Sequence, residues 1–233
     1  MKLATTVFGK LGVLSHLRKF KRLSDKECVA AAMMKYPTYG LSMNQSLSSG
    51  GDYFRYATIG LAIQRILSDG IHGDLAEVGV YRGDMSRFIH QLAPERTYYL
   101  FDTFEGFPKN DLEPDVSVDN RFSDTTVEAV LQKVGDSRNI IIKKGYVPDT
   151  LQGLENEQFA FVLLDLDLFN PTISSLNFFY PRLAIGGYLI VHDYNNPESN
   201  WACKRAVNEF MQDKTEKIIE IADEYGTVLF RKA

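Results

Sequence analysis

The chain has 233 residues, of which 45% are hydrophobic and 24% are charged, and its formal net charge is -4. A chain of this length and composition can bury one sizeable core, so extensive disorder is excluded and one α/β domain with additional helices is expected. The negative charge disfavours broad nucleic-acid binding, which requires a positive surface, and we expect a small-molecule substrate.

The two cysteines, Cys28 and Cys203, lie far apart and belong to no CxxC motif or Cys/His cluster. They predict neither a disulfide framework nor a zinc site, and they fit the reducing cytoplasm. The N-terminus lacks the small-residue cleavage site of a signal peptide, and no apolar run reaches the roughly 18 residues that span a bilayer. We therefore expect a cytoplasmic protein without an integral membrane segment.

Residues 1–52 are predicted to form helices followed by a lid or loop. Apolar residues recur at helical spacing over residues 5–23, with lysines and arginines between them, which predicts a basic amphipathic helix. We expect this helix to pack on the chain's own core or on a second subunit, which would make a homo-oligomer. Docking on a membrane surface is the alternative.

Residues 53–233 are predicted to form the main domain, which opens with a helix over 53–69. Strands are then predicted at 74–80, 97–102, 139–145, 159–167 and 188–194, and helices at 87–92, 125–134, 150–154, 172–183 and 202–211. This alternation predicts a doubly wound, mostly parallel sheet. Gly186 and Gly187 are expected to separate a helix from the fifth strand, and segments 217–222 and 226–232 are expected to form a hairpin at the sheet edge.

The fourth predicted strand, FAFVLL, is apolar throughout and leads directly into Asp165 and Asp167. A strand that is buried on both faces of a parallel sheet has this composition. Ligands of such sheets bind beyond the carboxyl ends of the strands, so both acids lie where chemistry is expected.

The turn after the first strand has glycines spaced as GxxxG, not as the GxGxxG of a dinucleotide site. This spacing suits a nucleoside ligand without phosphates, such as S-adenosylmethionine, held by backbone contacts and by an acid on its cation. Simple turn glycines are the alternative. The candidate cofactor contacts in this segment are Glu77, Gly79, Tyr81, Gly83 and Ser86.

The ends of the second and third strands extend this predicted cofactor site. Asp102 is placed to accept hydrogen bonds from both ribose hydroxyls, with Thr103 beside it. An N-cap or turn aspartate is the alternative for Asp102. Gly145 and Tyr146 follow the third strand and are expected near the adenine edge, and Asp165 after the fourth strand is a further candidate cofactor contact.

Carboxylates after the fourth and fifth strands predict a Mg²⁺ site, with Asp165 and Asp193 as the strongest candidates. His192 is either a ligand or a neighbour of the ligands, because adjacent strand residues point to opposite faces unless the strand has bent into its loop. Imidazole also suits Mg²⁺ less well than oxygen does. Asp167 is a third ligand, a helix N-cap or a general base, and we favour the base.

The ordered motifs GDLAEVGVYRGD, YYLFDTFEGFP, KKGYVPDTL, LLDLDLFNPT, FFYPRLAIGGYLIVHDY and CKRAVNEF resemble the macrocin O-methyltransferase (TylF-type) family over roughly residues 53–210. The resemblance implies a class I S-adenosylmethionine-dependent methyltransferase fold of the Rossmann-like type. It also implies an S-adenosylmethionine- and Mg²⁺-dependent enzyme that methylates sugar hydroxyls of antibiotics. Asp165 would then be a metal ligand and Asp167 the base, while His192 and Asp193 occupy a pair of positions that is often Asp-Asp.

We therefore expect an O-methyltransferase for a sugar or glycosylated natural product, whose metal ion binds two neighbouring oxygens of a vicinal diol. Loops 36–52 and 105–123 are expected to shape the acceptor pocket. A catechol-like phenol is the alternative acceptor, and a non-catalytic binding protein is the alternative from another class, although a scaffold needs no converging carboxylates. An oxidoreductase is disfavoured by the missing GxGxxG. The aromatic residues expected to contact either acceptor are Tyr39, Phe104, Phe107 and Trp201.

Overall fold

A computed structural model describes residues 52–112 and 119–233 of the chain. The expectations for residues 1–51, namely the basic helix, the lid and their role in oligomerisation, lie outside the described residues. So do Tyr39 and residues 113–118 of the predicted acceptor loop.

Seven strands of the described residues form one sheet in the order β3-β2-β1-β4-β5-β7-β6. Strands β1 to β5 are parallel to one another, and β7 runs antiparallel to both β5 and β6. The predicted doubly wound, mostly parallel sheet with a closing hairpin is therefore confirmed. The strands are β1 (Asp74–Val78), β2 (Tyr98–Asp102), β3 (Ile140–Lys144), β4 (Phe159–Leu164), β5 (Leu183–Val191), β6 (Ile219–Ile221) and β7 (Thr227–Arg231).

Five α-helices occur in the described residues, and local signals mark where two of them begin. The carboxylate of Asp52 accepts a hydrogen bond from the Arg55 N–H (3.1 Å) at the start of the first helix, and the Thr126 hydroxyl does the same for Ala129 N–H (3.2 Å) at the third. The helices are α1 (Tyr53–Ser68), α2 (Asp84–Leu92), α3 (Val127–Val134), α4 (Phe169–Arg182) and α5 (Ala202–Phe210), and short 3₁₀ helices span Lys109–Asp111, Asp149–Leu151 and Met211–Asp213.

The core is centred on β4, all six of whose residues are buried as its apolar sequence predicts. The rings of Phe159 and Phe179 meet edge to face at 5.0 Å, and Phe101 meets Phe179 in the same way at 5.8 Å. Each buried phenylalanine contributes about 1.5–3 kcal/mol through removal of its apolar surface from water. Because all six residues are buried, β4 is covered on both faces of the sheet.

The prediction that Gly186 and Gly187 precede the fifth strand is wrong, because β5 begins at Leu183 and contains both glycines. The pairing with β4 slips there, since Phe159 pairs with Leu183 whereas Phe161 pairs with Tyr188. The glycines thus belong to a bulge, where Gly186 has a φ of +81° and a Cβ on Gly187 would approach the Ala160 carbonyl oxygen to 2.8 Å.

Several predicted boundaries also shift. Helix α4 begins at Phe169 and not at Thr172. Pro171 is compatible with the first turn, because the N–H groups of that turn have no partner within the helix and proline has no N–H. Strands β1, β4 and β5 end at Val78, Leu164 and Val191, two or three residues earlier than predicted. Asp165, His192 and Asp193 therefore lie just beyond the ends of their strands.

Candidate active site

A cavity of about 460 Å³ lies beyond the carboxyl ends of the parallel strands, where the strand order reverses between β1 and β4. This volume suits a small-molecule ligand. Gly83 and Ser86 do not line the cavity, although the sequence predicts them as cofactor contacts. The other predicted site residues do line it: Glu77, Gly79, Tyr81, Asp102, Thr103, Gly145, Tyr146, Asp165, Asp167, His192 and Asp193.

Glu77 reaches the cavity from β1 and is almost fully buried, at 1% exposure. Its Oε2 atom accepts hydrogen bonds from the hydroxyls of Ser86 (2.7 Å) and Tyr98. Burial raises the pKa of Glu77 to about 8 despite these two hydrogen bonds. Ser86 therefore hydrogen-bonds Glu77 from outside the cavity. Its direct contact with a cofactor stays a prediction.

The two turn glycines are required by contacts within the protein. Gly79 has a φ of +94°, and a Cβ there would lie 1.8 Å from the backbone carbonyl oxygen of Asp165. Gly83 has a φ of +75° at the start of α2, and its Cβ would meet the Val130 side chain at 2.9 Å. The close approach at each glycine is thus made by the chain itself, and at Gly79 it holds the β1 turn against the end of β4.

Asp102 holds this turn from the other side. Its Oδ2 accepts the backbone N–H groups of Val80 and Tyr81, both at 2.8 Å, and its Oδ1 accepts the N–H of Phe104 at 2.7 Å. The Thr103 hydroxyl donates to the carbonyl of Gly106 (2.8 Å). Asp102 thus organises the turn with three backbone bonds, and its role as acceptor for the ribose stays a prediction.

The residues after β3 are tied to the second loop. The N–H of Gly145 donates to the carbonyl oxygen of Asp102 (2.9 Å), and the Tyr146 hydroxyl donates to the carboxylate of Asp111. Asn170 at the start of α4 donates to the same carboxylate (2.8 Å). These bonds place one wall of the cavity between the ends of β2 and β3.

An ionic cluster lies at the ends of β4 and β5. His192 Nδ1 lies 3.1 Å from Asp165 Oδ1 and 2.8 Å from Asp193 Oδ2, while Arg55 from α1 donates to Asp165 Oδ2 at 3.0 Å. His192 and Asp193 are buried, and a quarter of the Asp165 side chain remains exposed. The structure therefore brings together all three predicted metal candidates.

The backbone explains how adjacent residues reach one site. Strand β5 ends at Val191, and Asp193 adopts a left-handed conformation with a φ of +57°. Asp167 is also left-handed, with a φ of +59°. Because the chain leaves the strand pleat at these points, His192 and Asp193 no longer point to opposite faces, which is the condition for both to reach one ion.

The charges of the cluster compensate one another. Burial alone lowers the pKa of His192, but the charge of Asp165 and hydrogen bonds to Asp165 and Asp193 raise it to about 10. Burial likewise favours a raised pKa for Asp165, but His192 and Arg55 outweigh it and hold that pKa below its usual range. Burial raises the pKa of Asp193. The positive charges of His192 and Arg55 thus balance negative charge of the two carboxylates.

Asp167 is separate from the ionic cluster but close to it. Burial, followed by the charges of Asp193 and Asp165, raises the pKa of Asp167 to about 7. Its Oδ1 accepts a hydrogen bond from Asn196 Nδ2 (3.3 Å), and Leu168 occupies the N-cap position of α4. Asp167 is therefore not the helix cap, and a carboxyl with this pKa suits proton transfer near neutral pH.

The cluster fits a divalent cation. Asp165, His192 and Asp193 each offer one ligand atom, and these atoms all lie within 4.8 Å of one another. Two carboxylate oxygens and one imidazole nitrogen are donors that divalent cations accept. Among the described residues, the two groups with this spacing both contain His192, and neither contains Asp167.

The remaining wall of the cavity comes from the loop before α3 and from the segments around Asn196 and Tyr225. The Arg121 guanidinium lies 5.4 Å from the ring centre of Phe107 and 5.9 Å from that of Phe122. The predicted acceptor contacts Phe104 and Trp201 do not line the cavity: Phe104 is buried, and Trp201, the N-cap residue of α5, is about half exposed. Phe107 is placed as predicted.

Several residues of the site were not predicted from the sequence. Arg55 is an arginine in a helix, 110 positions from Asp165, and only the fold brings the two together. Asn196 lies three residues after Asp193 and donates to its Oδ1 (3.0 Å), so its proximity to a predicted ligand was the available signal. The lining residues that were missed include Arg55, Tyr56, Asn196, Glu198 and Tyr225. Arg121 and Phe122 lie in loop 105–123, which was expected to shape the acceptor pocket, but neither was singled out.

Within the two described stretches of the chain, the helices are too short or too polar to cross a membrane.

Comparison with known sequences supports one family. The profile described as Macrocin-O-methyltransferase (TylF) matches residues 53–232. Mycinamicin III 3''-O-methyltransferase from Micromonospora griseorubida is 29% identical over 222 residues, which span 82% of this chain and 85% of that protein. Demethyldecarbamoylnovobiocin O-methyltransferase from Streptomyces niveus is 28% identical over 196 residues, 75% of this chain and 70% of that protein.

Solved structures show the same fold. The O-methyltransferase NovP matches with a TM-score of 0.66 at 26% identity, over 78% of this chain and 80% of that one. The calicheamicin methyltransferase CalS11 matches with a TM-score of 0.63 at 20% identity, over 89% of this chain and 93% of that one. The fold is that of class I S-adenosylmethionine-dependent methyltransferases.

Proposed function

The chain belongs to the macrocin O-methyltransferase (TylF) family, and we propose that it methylates a hydroxyl of a sugar or glycosylated natural product. As a member of this enzyme family, it is an O-methyltransferase. The methyl donor in this proposal is S-adenosylmethionine, and the required metal ion is Mg²⁺. The cytoplasmic location and the homo-oligomer expected from the sequence belong to the same proposal.

One observation carries the proposal: a buried carboxyl with a pKa near 7, Asp167, lies beside a metal-type cluster at one end of a nucleoside-sized cavity. The other end of that cavity is bounded by the Gly79 turn, Asp102 and Gly145. A methyl donor and a hydroxyl acceptor can thus meet in the same enclosure, which is the requirement for in-line transfer.

The ligands of the metal ion in this proposal are Asp165, Asp193 and His192. When bound, a divalent cation would stabilise the negative charge that develops on the acceptor oxygen. Arg55 keeps the second oxygen of Asp165 engaged, so that Asp165 presents Oδ1 toward the cluster.

Asp167 acts as the general base in the proposed reaction. One of its carboxylate oxygens takes the proton of the acceptor hydroxyl, the acceptor oxygen forms a bond to the methyl carbon, and the sulfur–methyl bond breaks. The products are the methyl ether and S-adenosylhomocysteine. Asn196 supports this role because it donates hydrogen bonds to both Asp167 and Asp193, which fixes the distance between the base and the metal cluster.

The acceptor class rests on the relatives and on the cavity wall. Two similar proteins are named for methylation of mycinamicin III and of demethyldecarbamoylnovobiocin. In this chain, Arg121, Phe107 and Phe122 provide a cationic and aromatic surface on the Asp167 side of the cavity, since the charge of Arg121 acts on Asp167. Aromatic faces with a polar neighbour suit sugar rings.

The experiment that tests this proposal is calorimetric titration of the protein with S-adenosylmethionine and S-adenosylhomocysteine, followed by an assay of methyl transfer to mycinamicin III and to catechol. We expect binding of both nucleosides, methylation of the glycosylated acceptor, and loss of turnover after EDTA treatment with recovery on addition of Mg²⁺.

The variant Asp165→Asn should lose metal-dependent turnover, whereas Asp136→Asn, which changes an exposed aspartate that does not line the cavity, should behave as wild type. Absence of nucleoside binding would overturn the proposal as a whole. Methylation of catechol but not of the glycosylated acceptor would overturn the acceptor class, and turnover unaffected by EDTA would overturn the metal requirement.

A further inference from the structure

We infer that His192 binds the metal ion through Nδ1, and that this nitrogen shifts the selectivity of the site from Mg²⁺ toward Mn²⁺. The inference rests on the proposed function for the location of the metal. It deepens that proposal. An Asp-Asp pair at positions 192 and 193 would make a site of oxygen donors alone, whereas His192 adds a nitrogen donor.

The surroundings of the imidazole determine which nitrogen carries hydrogen. His192 Nε2 lies 3.2 Å from the backbone carbonyl oxygen of Glu224, which can only accept a hydrogen bond. The Glu224 carbonyl oxygen therefore favours a hydrogen on Nε2.

Nδ1 is the nitrogen on the carboxylate side of the ring, 3.1 Å from Asp165 Oδ1 and 2.8 Å from Asp193 Oδ2. A divalent cation that binds here would take the place of the Nδ1 hydrogen between the ring and the two carboxylates. A histidine that binds metal through one nitrogen and donates from the other to a backbone carbonyl is the usual arrangement of such ligands. The geometry thus assigns His192 to the inner ligand set.

The donor set then decides which ion is favoured. Mg²⁺ prefers oxygen ligands and is held mainly by their negative charge, whereas imidazole suits the first-row transition ions. Arg55 donates to Asp165 Oδ2 at 3.0 Å, so its positive charge offsets part of the charge of the two carboxylates. The nitrogen donor therefore disfavours Mg²⁺ relative to Mn²⁺, whereas the reduced negative charge weakens the binding of both dications alike.

The test uses the full-length protein, saturated with S-adenosylhomocysteine, and MnCl₂ and MgCl₂ as the probes. Binding of Mn²⁺ is followed through the electron paramagnetic resonance signal of the free ion, and Mg²⁺ is added as the competitor. We expect the ratio of the Mg²⁺ Kd to the Mn²⁺ Kd to fall by about tenfold in His192→Asp relative to wild type. His72→Asp, which makes the same change at an exposed histidine, should leave the ratio unchanged.

A second measurement needs no variant. Pulsed electron paramagnetic resonance of Mn²⁺ bound to the wild-type protein should show coupling to a directly bonded ¹⁴N nucleus, and His192→Asn should lose it. Bound Mn²⁺ without nitrogen coupling, or equal ratios in wild type and His192→Asp, would overturn the inference. Neither result bears on nucleoside binding, so failure of the inference is distinguishable from failure of the proposed function.

Discussion

Glu77 shows how a single side chain can depend on pH through burial. It lies at 1% exposure with two hydroxyl donors on one oxygen, and its pKa is about 8 in the folded protein against an ordinary value of 4.5. The folded state therefore retains a proton that the unfolded chain releases. Folding is not penalised below pH 4.5, and the penalty grows as the pH rises to about 8.

The variant Glu77→Gln should remove this penalty, because a neutral amide of the same shape can accept the same hydroxyl bonds. Relative to wild type, its free energy of unfolding should increase by about 1 kcal/mol per pH unit between roughly pH 5 and pH 8. Urea denaturation at several pH values measures this difference. Glu128→Gln, an exposed glutamate of α3, is the control and should show no such trend.

Parallel pH profiles for wild type and Glu77→Gln would show that Glu77 is ionised in the folded protein across this range.

The sequence predicted which side chains belong to the site but not the partners of these side chains. Asp102 was placed correctly at the tip of β2, yet its three backbone hydrogen bonds depend on the conformation of two loops. Arg55 was missed because an ion pair between residues 110 positions apart leaves no local pattern. Side-chain partners of this kind follow from the fold and not from spacing.

Among the contacts between elements, the approach between the ends of β1 and β4 is the closest at a glycine. Gly79 follows β1 and Asp165 follows β4. A Cβ on residue 79 would overlap the carbonyl oxygen of Asp165. The N–H of Asp165 donates to the carbonyl of Val78 at 2.8 Å, which closes the same contact. The first metal candidate is therefore positioned by the turn of a different strand.

Gly79→Ala should destabilise the protein by more than about 3 kcal/mol, because it combines a left-handed backbone with an overlap against another backbone. Gly153→Ala is the matched control, since Gly153 also has a positive φ, +84°, but nothing within 4 Å of its Cβ position. We expect about 1 kcal/mol for the control, which isolates the conformational cost.

The urea midpoints and slopes of both variants measure these costs. Equal destabilisation by the two substitutions would contradict the assigned contact between Gly79 and Asp165.

The elements themselves were predicted well where the pattern is long and strong. The apolar run of β4 and the alternation of strands with helices led to the right sheet, because burial on both faces leaves a continuous apolar sequence. The bulge at Gly186 and Gly187 was missed, since a glycine pair indicates a turn as readily as a bulge. The left-handed conformations of Asp167 and Asp193 were also not predictable, because residues other than glycine seldom adopt them.

In the whole molecule, the order of the strands brings the residues of the site together. Residues that follow five separate strands line one cavity because parallel strands end at the same edge of the sheet. The sequence therefore predicted the location of the site from the fold class. It predicted that loop 105–123 shapes the acceptor pocket, but it did not single out Arg121 or Phe122 in that loop. It also did not predict Tyr225, because loop conformation has no periodic signal.

The central claim is that Asp167 is the base of an S-adenosylmethionine-dependent O-methyltransferase. The most direct measurement compares the rate of methyl transfer from labelled S-adenosylmethionine to the accepted glycosylated substrate by wild type and by Asp167→Asn, with S-adenosylhomocysteine affinity measured for both. We predict a rate loss of about 10²- to 10⁴-fold with unchanged nucleoside affinity. A variant that transfers the methyl group as fast as wild type would contradict the assignment of Asp167.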